Sequence, residues 1–178
     1  MSMTDNALAG AMGGLAGGVA MSAMMMMGKK AGIVQTPVPV KVERWVEDQA
    51  GVPTHDRADG MQEMGIAQGG HLLLSAAFGA GYGALRGAYS LPAMPSGPLY
   101  GLGLYALNLG GIAPTLGITP GPWNEEPMTA GRRMMMHLMY GAVTALLTER
   151  LAPYPRPVFK VIRGGEPLYH ASEARLAA

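Results

Sequence analysis

Four long runs of the chain contain no Asp, Glu, Lys or Arg, and almost every charged residue lies between or beyond them. The runs cover residues 7–28, 65–85, 87–124 and 134–148. A charge at the centre of a bilayer costs roughly 3 kcal/mol on insertion scales, so segments that cross a membrane are kept free of charge. The pattern therefore predicts an all-α, polytopic membrane protein.

The runs predict four transmembrane helices within one domain, residues 1–151. The first run would be about 33 Å long as a helix, which is enough to cross the hydrocarbon core. It lacks the positively charged start of a signal peptide, so we expect it to be retained. Prolines shorten the third run at both ends, and arginines flank the short fourth run and can reach the headgroups. The expected helices are 7–28, 65–85, 99–116 and 134–151.

A polar connector, residues 29–64, joins the first two helices. Within it, Val42, Trp45 and Val46 share one helical face, and charged residues occupy the other. This pattern is typical of a short helix that lies at the membrane surface. The segment 152–178 is rich in proline and mixed charges, which predicts a soluble C-terminal tail.

Small residues follow a regular spacing along the first predicted helix. Gly10, Gly14, Gly18 and Ser22 lie four residues apart and so form one stripe on the helix surface. Small residues at this spacing allow two helix backbones to approach closely in a membrane. We interpret the stripe as a helix-packing surface; the alternative is a flexible, glycine-rich leader.

The second and fourth predicted helices resemble each other around a histidine. The segment 71–76 begins with His71 and the segment 137–142 begins with His137, each after a connector that contains proline and acidic residues. Two helical hairpins in parallel repeat would explain this correspondence. The repeat predicts that the two histidine-bearing helices are adjacent, near a pseudo-two-fold axis.

Two motifs resemble a known family. The segment 70–82 contains Gly-His and, further on, Gly-Tyr, and the segment 114–125 contains Thr-Pro followed by Pro-Trp-Asn-Glu. Together they resemble the YagU-like family of bacterial inner-membrane proteins over residues 65–151. The resemblance implies a four-helix inner-membrane protein with both termini in the cytoplasm, and it implies no particular activity. The chain departs from the family pattern at Asn108, where a histidine is expected.

Composition narrows the possible chemistry. Only 14% of the residues are charged, against about 25% in a typical soluble domain. A net charge of +1 and scattered basic residues argue against a nucleic-acid partner. The chain has no cysteine, which excludes disulfides, iron–sulfur clusters and zinc–thiolate sites. No phosphate-binding loop or Gly-x-Ser-x-Gly turn is evident, so we predict neither an enzyme nor a bound cofactor.

A small polar set remains inside the predicted membrane segments. It consists of His71, Ser75, Asn108, His137 and Thr144, with Glu125 nearby in a connector. Ionisable residues in a membrane raise a functional hypothesis, here a proton relay or a metal ion held between histidines. The alternative is that these side chains form hydrogen bonds between helices and only fix the packing.

Two further groups of residues could bind metal, and in both a simpler explanation is favoured. The methionines could offer soft ligands to copper, but consecutive methionines on a helix point in different directions and are suited to filling gaps. The methionines concerned are Met24 to Met27, Met134 to Met136 and Met139. A second group, His55, Asp56, Asp59 and Glu63, has the residue types of a divalent-metal site. We interpret it as part of a solvated connector and predict no metal site.

These features favour a structural or accessory membrane protein. We expect it to pack, through the glycine stripe of its first helix, against a larger membrane complex or another copy of itself. The expected partners are the lipid bilayer and other membrane subunits. The alternative is a small transporter or proton-conducting protein that uses the intramembrane histidines.

Overall fold

The computed structural model describes residues 2–33, 36–51, 60–89 and 92–152. The predicted tail beyond residue 152 and the predicted acidic group at residues 55–59 lie outside this part of the chain. The described part is all-α, which confirms the predicted fold class. The six α-helices are α1 (Met3–Lys30), α2 (Val38–Ala50), α3 (Gly60–Tyr89), α4 (Ala93–Tyr105), α5 (Ala113–Thr115) and α6 (Pro127–Leu151). A π-helical segment, Ala106–Ile112, joins α4 to α5, and a short 3-10 helix, Pro122–Asn124, precedes α6.

The helix α1 is longer than the first charge-free run at both ends. It begins after Ser2, whose hydroxyl accepts a hydrogen bond from the Asp5 amide at 3.1 Å. The Asp5 carboxylate in turn accepts one from the Ser2 amide at 2.8 Å. This capping box satisfies two amides that the helix itself leaves without partners. Lys29 and Lys30 complete the last turn, where positive charge favours the negative end of the helix dipole.

Prolines shape α4 and α5 differently from the prediction. The sequence predicted a loop up to Pro98, but α4 begins at Ala93, with an irregular backbone at Met94. Pro98 lies inside α4, in the turn that follows the non-helical backbone of Met94. At the other end, Pro114 has no amide hydrogen to donate into the preceding turn. A wider π-helical segment, in place of regular α-helix, precedes α5.

Three close helix pairs build the bundle. The helix α1 packs against both α3 and α6, and α6 also packs against α4. Gly10 lies against Gly83, and Gly18 lies against Leu72, so α1 and α3 are antiparallel. The helices therefore follow the order α3, α1, α6, α4, and the backbones of α3 and α4 have few close contacts.

The predicted glycine stripe is used inside the chain. A Cβ atom placed on Gly14 would lie 2.7 Å from the Cα of Gly79, and one on Gly18 would lie 2.7 Å from the Cβ of Ser75. Such distances leave no room for a side chain, so α1 and α3 touch backbone to backbone. Ser22 continues the same stripe and forms hydrogen bonds to α3 instead.

A second pair of glycines on α1 faces α6. A Cβ atom on Gly17 would lie 2.9 Å from both the Tyr140 ring and the Thr144 hydroxyl. The pair α4 and α6 uses the same device, since a Cβ on Gly101 would lie 3.3 Å from the Cα of Gly141. All three close pairs therefore depend on glycine.

The centre of the bundle is a small apolar cluster of Met21, Met25, Leu104 and Tyr140. Several polar side chains are also buried, and Arg86 is among the most buried, with 1% of its surface exposed. By length and apolar composition, α1 is the one described helix that could cross a membrane.

The helix α2 packs against α3, and its buried residues are Val40 and Glu43. Glu43 is buried, and Arg44 forms an ion pair with Glu63 of α3. Val42 and Val46 are exposed on the opposite side. The apolar face predicted for this helix therefore points away from the bundle.

Candidate functional site

His71 is held by a short hydrogen-bond chain between α1 and α3. The Ser22 hydroxyl donates to the Gln68 side-chain oxygen at 2.6 Å, and the Nδ1 atom of His71 lies 3.1 Å from the same hydroxyl oxygen. Ser22 has only one hydroxyl proton, so the Nδ1 atom of His71 must carry the proton that it shares with Ser22. In the neutral imidazole this leaves the lone pair on Nε2.

His137 is held in the same tautomer by its own helix. Its Nδ1 atom lies 2.8 Å from the backbone carbonyl of Arg133, one turn earlier in α6. A carbonyl oxygen only accepts, so Nδ1 carries the proton and the Nε2 lone pair is again available. The His137 ring also meets the edge of Tyr105, with ring centroids 5.6 Å apart. Both contacts restrict the orientation of the imidazole.

One hydrogen bond places the two histidines at the same level of the bundle. The Tyr140 hydroxyl donates to the backbone carbonyl of Ser75 at 2.6 Å, which joins α6 to α3. Both helices are antiparallel to α1, so they run in the same direction. His71 and His137 each lie about one turn before this contact.

Glu125 and Asn108, also predicted as part of the polar set, form no hydrogen bond with either histidine in the part of the chain that the structure describes. The Glu125 carboxylate forms an ion pair with Arg133, and both side chains are largely buried. Glu125 therefore neutralises the arginine beside His137 and bonds to neither histidine among the described residues. Asn108 is half-buried in the π-helical segment and makes no hydrogen bond to His71 or His137 within the part of the chain described.

Gln68 and the tyrosines were missed by the sequence reasoning. Gln68 lies in the same charge-free run as His71, so the search for polar residues within such runs could have found it. Tyr100 donates to the Phe78 carbonyl at 2.7 Å, and Tyr82 contacts the Ser96 hydroxyl at 2.7 Å. Tyrosine also occurs as an apolar filler, so its type alone did not indicate these contacts.

The contacts within the two hairpins correspond, as a repeat requires. We align the sequence of α4 with that of α1, and the sequence of α6 with that of α3, each with one constant offset in residue number. Gly97 then corresponds to Gly14, and Tyr105 corresponds to Ser22. Gly14 packs against Ser75 and Gly79, and Gly97 packs against their counterparts Gly141 and Ala145. Ser22 contacts His71, and Tyr105 contacts His137. These paired contacts support the predicted pseudo-two-fold relation.

The two edges where the hairpins meet differ in side-chain size. On one edge Gly17 of α1 meets Thr144 of α6, and the helices are in close contact. On the other edge the counterpart of Gly17 is Tyr100, whose hydroxyl reaches the carbonyl of Phe78, the counterpart of Thr144. Where glycine lets α1 and α6 touch, the bulky tyrosine side chain lies between α3 and α4 and keeps their backbones apart.

No group of three or more His, Asp or Glu side chains in the described residues is arranged to hold a metal ion. Comparisons of the chain with protein-family models, with curated proteins and with solved structures gave no match. The fold and the site therefore define an all-helical bundle with one helix able to cross a membrane and a histidine pair in its interior.

Proposed function

We propose that this chain is an integral membrane protein of structural or accessory type, with four transmembrane helices. The spans are α1, α3, the continuous α4–α5 unit and α6. By its resemblance to the YagU-like family, we place it in a bacterial inner membrane with both termini in the cytoplasm. The proposal depends chiefly on one observation, the distribution of apolar and polar side chains in the bundle.

Large apolar side chains cover the outside of all four proposed spans. The exposed fraction is 62% for Leu8, 74% for Leu73, 68% for Leu99 and 50% for Leu146. Burying one leucine is worth about 1.5–3 kcal/mol relative to leaving it in water, so lipid is the favourable surrounding for this surface. Arg86 and two threonines of α6 are buried inside. A helix in a water-soluble bundle has the opposite arrangement.

The helix lengths fit a bilayer. The helices α1, α3 and α6 contain 28, 30 and 25 residues. At 1.5 Å per residue they are roughly 37–45 Å long, and the hydrocarbon core is about 30 Å thick. The polar residues that lower the hydropathy of α3, namely Gln68, His71 and Ser75, lie against α1 or α6. Residues so placed do not need to contact lipid.

A partner would have to contact α1 on its outer side. The stripe of Gly10, Gly14 and Gly18 is covered by α3. Leu8, Met12, Leu15 and Val19 are exposed on another side of the same helix. The proposed packing against a larger complex or a second copy therefore uses this outer ridge. Purification in mild detergent should recover a stable partner together with the protein. Polar substitutions on this ridge should release the partner, and a partner that still co-purifies with such variants would contradict the assignment.

Single-cysteine labelling tests the four-span topology directly, because the natural chain has no cysteine. We would place one cysteine at Ser2, Gln49, Tyr89 or Asn124, all exposed positions outside the apolar centres of the helices. A membrane-impermeant maleimide should label positions 2 and 89 from one side and positions 49 and 124 from the other. If α1 alone crosses the membrane, positions 49, 89 and 124 will label from the same side.

The histidine pair favours a second candidate function, a small transporter or proton-conducting protein. His71 and His137 are each held inside the bundle by a hydrogen bond, and ionisable side chains placed there mark ion and proton pathways. Proteoliposomes would be loaded with a pH-sensitive dye and given a proton gradient. Proton flux that disappears in His71→Gln and His137→Gln would support this function. Equal flux in wild type, variants and empty liposomes would exclude it.

A further inference from the structure

We infer that α2 is a lipid-binding element, and that its outward side docks into the headgroup layer of the bilayer together with Trp123. The occupant of this surface is phospholipid. The inference rests on the proposed membrane function and deepens it, because it assigns a lipid contact to a helix outside the four spans. It combines three features: the exposed side of α2, the level at which α2 lies, and a second exposed tryptophan at the same end of the bundle.

The contact with α3 leaves most of the apolar side of α2 uncovered. The buried residues of α2 are Val40 and the acidic Glu43. Val42 and Val46 are 37% and 52% exposed, and Trp45 is only half-buried. These three residues lie three or four positions apart and so form one stripe on the helix surface. An amphipathic helix is stabilised when its apolar stripe is covered, and α3 does not cover this one.

The helix α2 lies at the level where α3 leaves the membrane core. The ion pair between Arg44 and Glu63 holds α2 beside the first turn of α3. The 30 residues of α3 are about 45 Å long as a helix, and the hydrocarbon core is about 30 Å thick. The end turns of α3 therefore reach into the headgroup layer. An amphipathic helix at this level inserts its apolar side into the boundary between headgroups and acyl chains.

Trp123 lies at the same end of the bundle. Because α6 is antiparallel to α1, the start of α6 is beside the end of α1, and Trp123 belongs to the 3-10 helix just before α6. Its side chain is 70% exposed. A Cβ atom placed on Gly121 would lie 2.5 Å from the indole, so the ring is held against the backbone. Tryptophan is enriched at the headgroup level, where the ring meets acyl chains and its N–H group bonds to polar groups.

The surroundings of α2 favour phospholipid as the occupant. The outside of the neighbouring spans is apolar up to this end, since Met27 of α1 is 70% exposed and Ile66 of α3 is 57% exposed. Lys29 and Lys30 follow at the end of α1, and both are exposed. Neither lysine forms an ion pair within the described part of the chain. Lysine side chains placed so can reach headgroup phosphates while their carbon chains contact apolar groups.

Tryptophan fluorescence tests the inference, because the chain has two tryptophans, Trp45 and Trp123. Full-length Trp123→Phe and Trp45→Phe proteins, each with one tryptophan left, would be reconstituted into phosphatidylcholine vesicles. The lipids would carry bromine, which quenches tryptophan, either near the headgroup or near the methyl end of the acyl chains. Bromine near the headgroup should quench both tryptophans at least about twofold more strongly than bromine at the methyl end.

A substitution on the stripe links this signal to α2. In the Trp123→Phe protein, Val46→Glu should reduce the lipid quenching of Trp45 about twofold or more, because a carboxylate opposes insertion of the stripe. In the Trp45→Phe protein, the same substitution should leave the quenching of Trp123 unchanged. The second tryptophan is thus the control for an intact bundle.

The inference is overturned if brominated lipid quenches Trp45 at neither depth, or if the deep bromine quenches it more strongly. Among unquenched outcomes, quenching by aqueous acrylamide would assign the stripe to water, and protection from acrylamide would assign it to a protein partner. Cysteine labelling in the same vesicles reports the four-span topology separately. The expected labelling with an unquenched Trp45 contradicts only the lipid contact of α2, whereas altered labelling contradicts the proposed topology.

Discussion

The Tyr140 hydroxyl reaches across the bundle to the backbone carbonyl of Ser75 and donates a hydrogen bond of 2.6 Å. Both residues are buried, and the backbones of α3 and α6 otherwise have little contact. The helix α1 lies between them and packs on each through a different set of glycines. The tyrosine is therefore a direct connection between the two histidine-bearing helices, and Arg86 makes another at the end of α6.

Replacing Tyr140 by phenylalanine should destabilise the bundle by about 1 kcal/mol, the usual net value of one hydrogen bond. The ring stays in the central cluster, so packing is preserved and only the hydroxyl is lost. Thermal unfolding in detergent measures the change. Tyr89→Phe is the control, because 70% of Tyr89 is exposed. Equal effects of the two substitutions would show that the Tyr140 hydrogen bond contributes no stability.

Gly14→Ala should be strongly destabilising. The new methyl carbon would lie 2.7 Å from the Cα of Gly79, and a backbone atom cannot move aside as a flexible side chain can. Overpacking of this kind costs roughly 1–3 kcal/mol. Gly69→Ala on α3 is the matched control, since nothing lies within 4 Å of a Cβ there. It should stabilise the helix by about 0.5–1 kcal/mol, because alanine has the higher helix propensity.

The docking of α2 on α3 should weaken as the pH rises. Burial raises the pKa of the Glu43 carboxyl above its ordinary value of 4.5, the charges of Glu47 and Glu63 raise it further, and Arg44 opposes them. A carboxyl whose pKa is higher in the docked state takes up a proton on docking. Its stabilisation is therefore fully present below pH 4.5 and is lost as the pH rises through the docked-state pKa.

Hydrogen exchange of the α2 amides measures this effect at a series of pH values. After correction for the intrinsic exchange rate, protection should fall with rising pH in wild type. Glu43→Gln should remove most of this dependence and increase protection at neutral pH. Asp48→Asn, an exposed change on the same helix, should leave the wild-type profile intact. A Glu43→Gln profile identical to wild type would contradict the assignment.

Arg86→Met should loosen the end of α6. The guanidinium donates to the Ala152 carbonyl at 2.9 Å and lies 4.0 Å from the Glu149 carboxylate. A hydrogen bond from a charged group contributes about 1.5–3 kcal/mol, and methionine retains most of the side-chain volume. Hydrogen exchange in the last turn of α6 should increase. Arg150→Met changes an exposed arginine at the same helix end, and a comparable increase there would refute a specific role for Arg86.

The sequence predicted the helices better than it predicted their ends. Charge-free runs reflect the surroundings of a helix, but its limits depend on local capping, such as the contact between Ser2 and Asp5. The third helix was expected to begin only after Pro98 because proline disrupts helix interiors, yet Pro98 lies inside α4.

Within the candidate site, the sequence identified both histidines but not what holds them. His71 and His137 were found because ionisable residues are rare in charge-free runs. Their partners are a serine, a glutamine, a tyrosine and a backbone carbonyl, and these groups occur throughout the chain. Arg86 ends the second charge-free run, and nothing in its position along the chain indicated that it is buried. Whether a charged side chain is buried depends on how the helices pack against one another. The spacing of residues along one helix does not contain that information.

The difference between the α1–α6 edge and the α3–α4 edge of the bundle bears on how a chain with two hairpins can evolve. In a symmetric dimer of one hairpin, each substitution would appear at both edges at once. Fusion of two hairpins into one polypeptide removes that constraint. Gly17 could then keep α1 and α6 in close contact, while Tyr100 at the equivalent position separates the backbones of α3 and α4. After such a duplication the two seams can evolve separately.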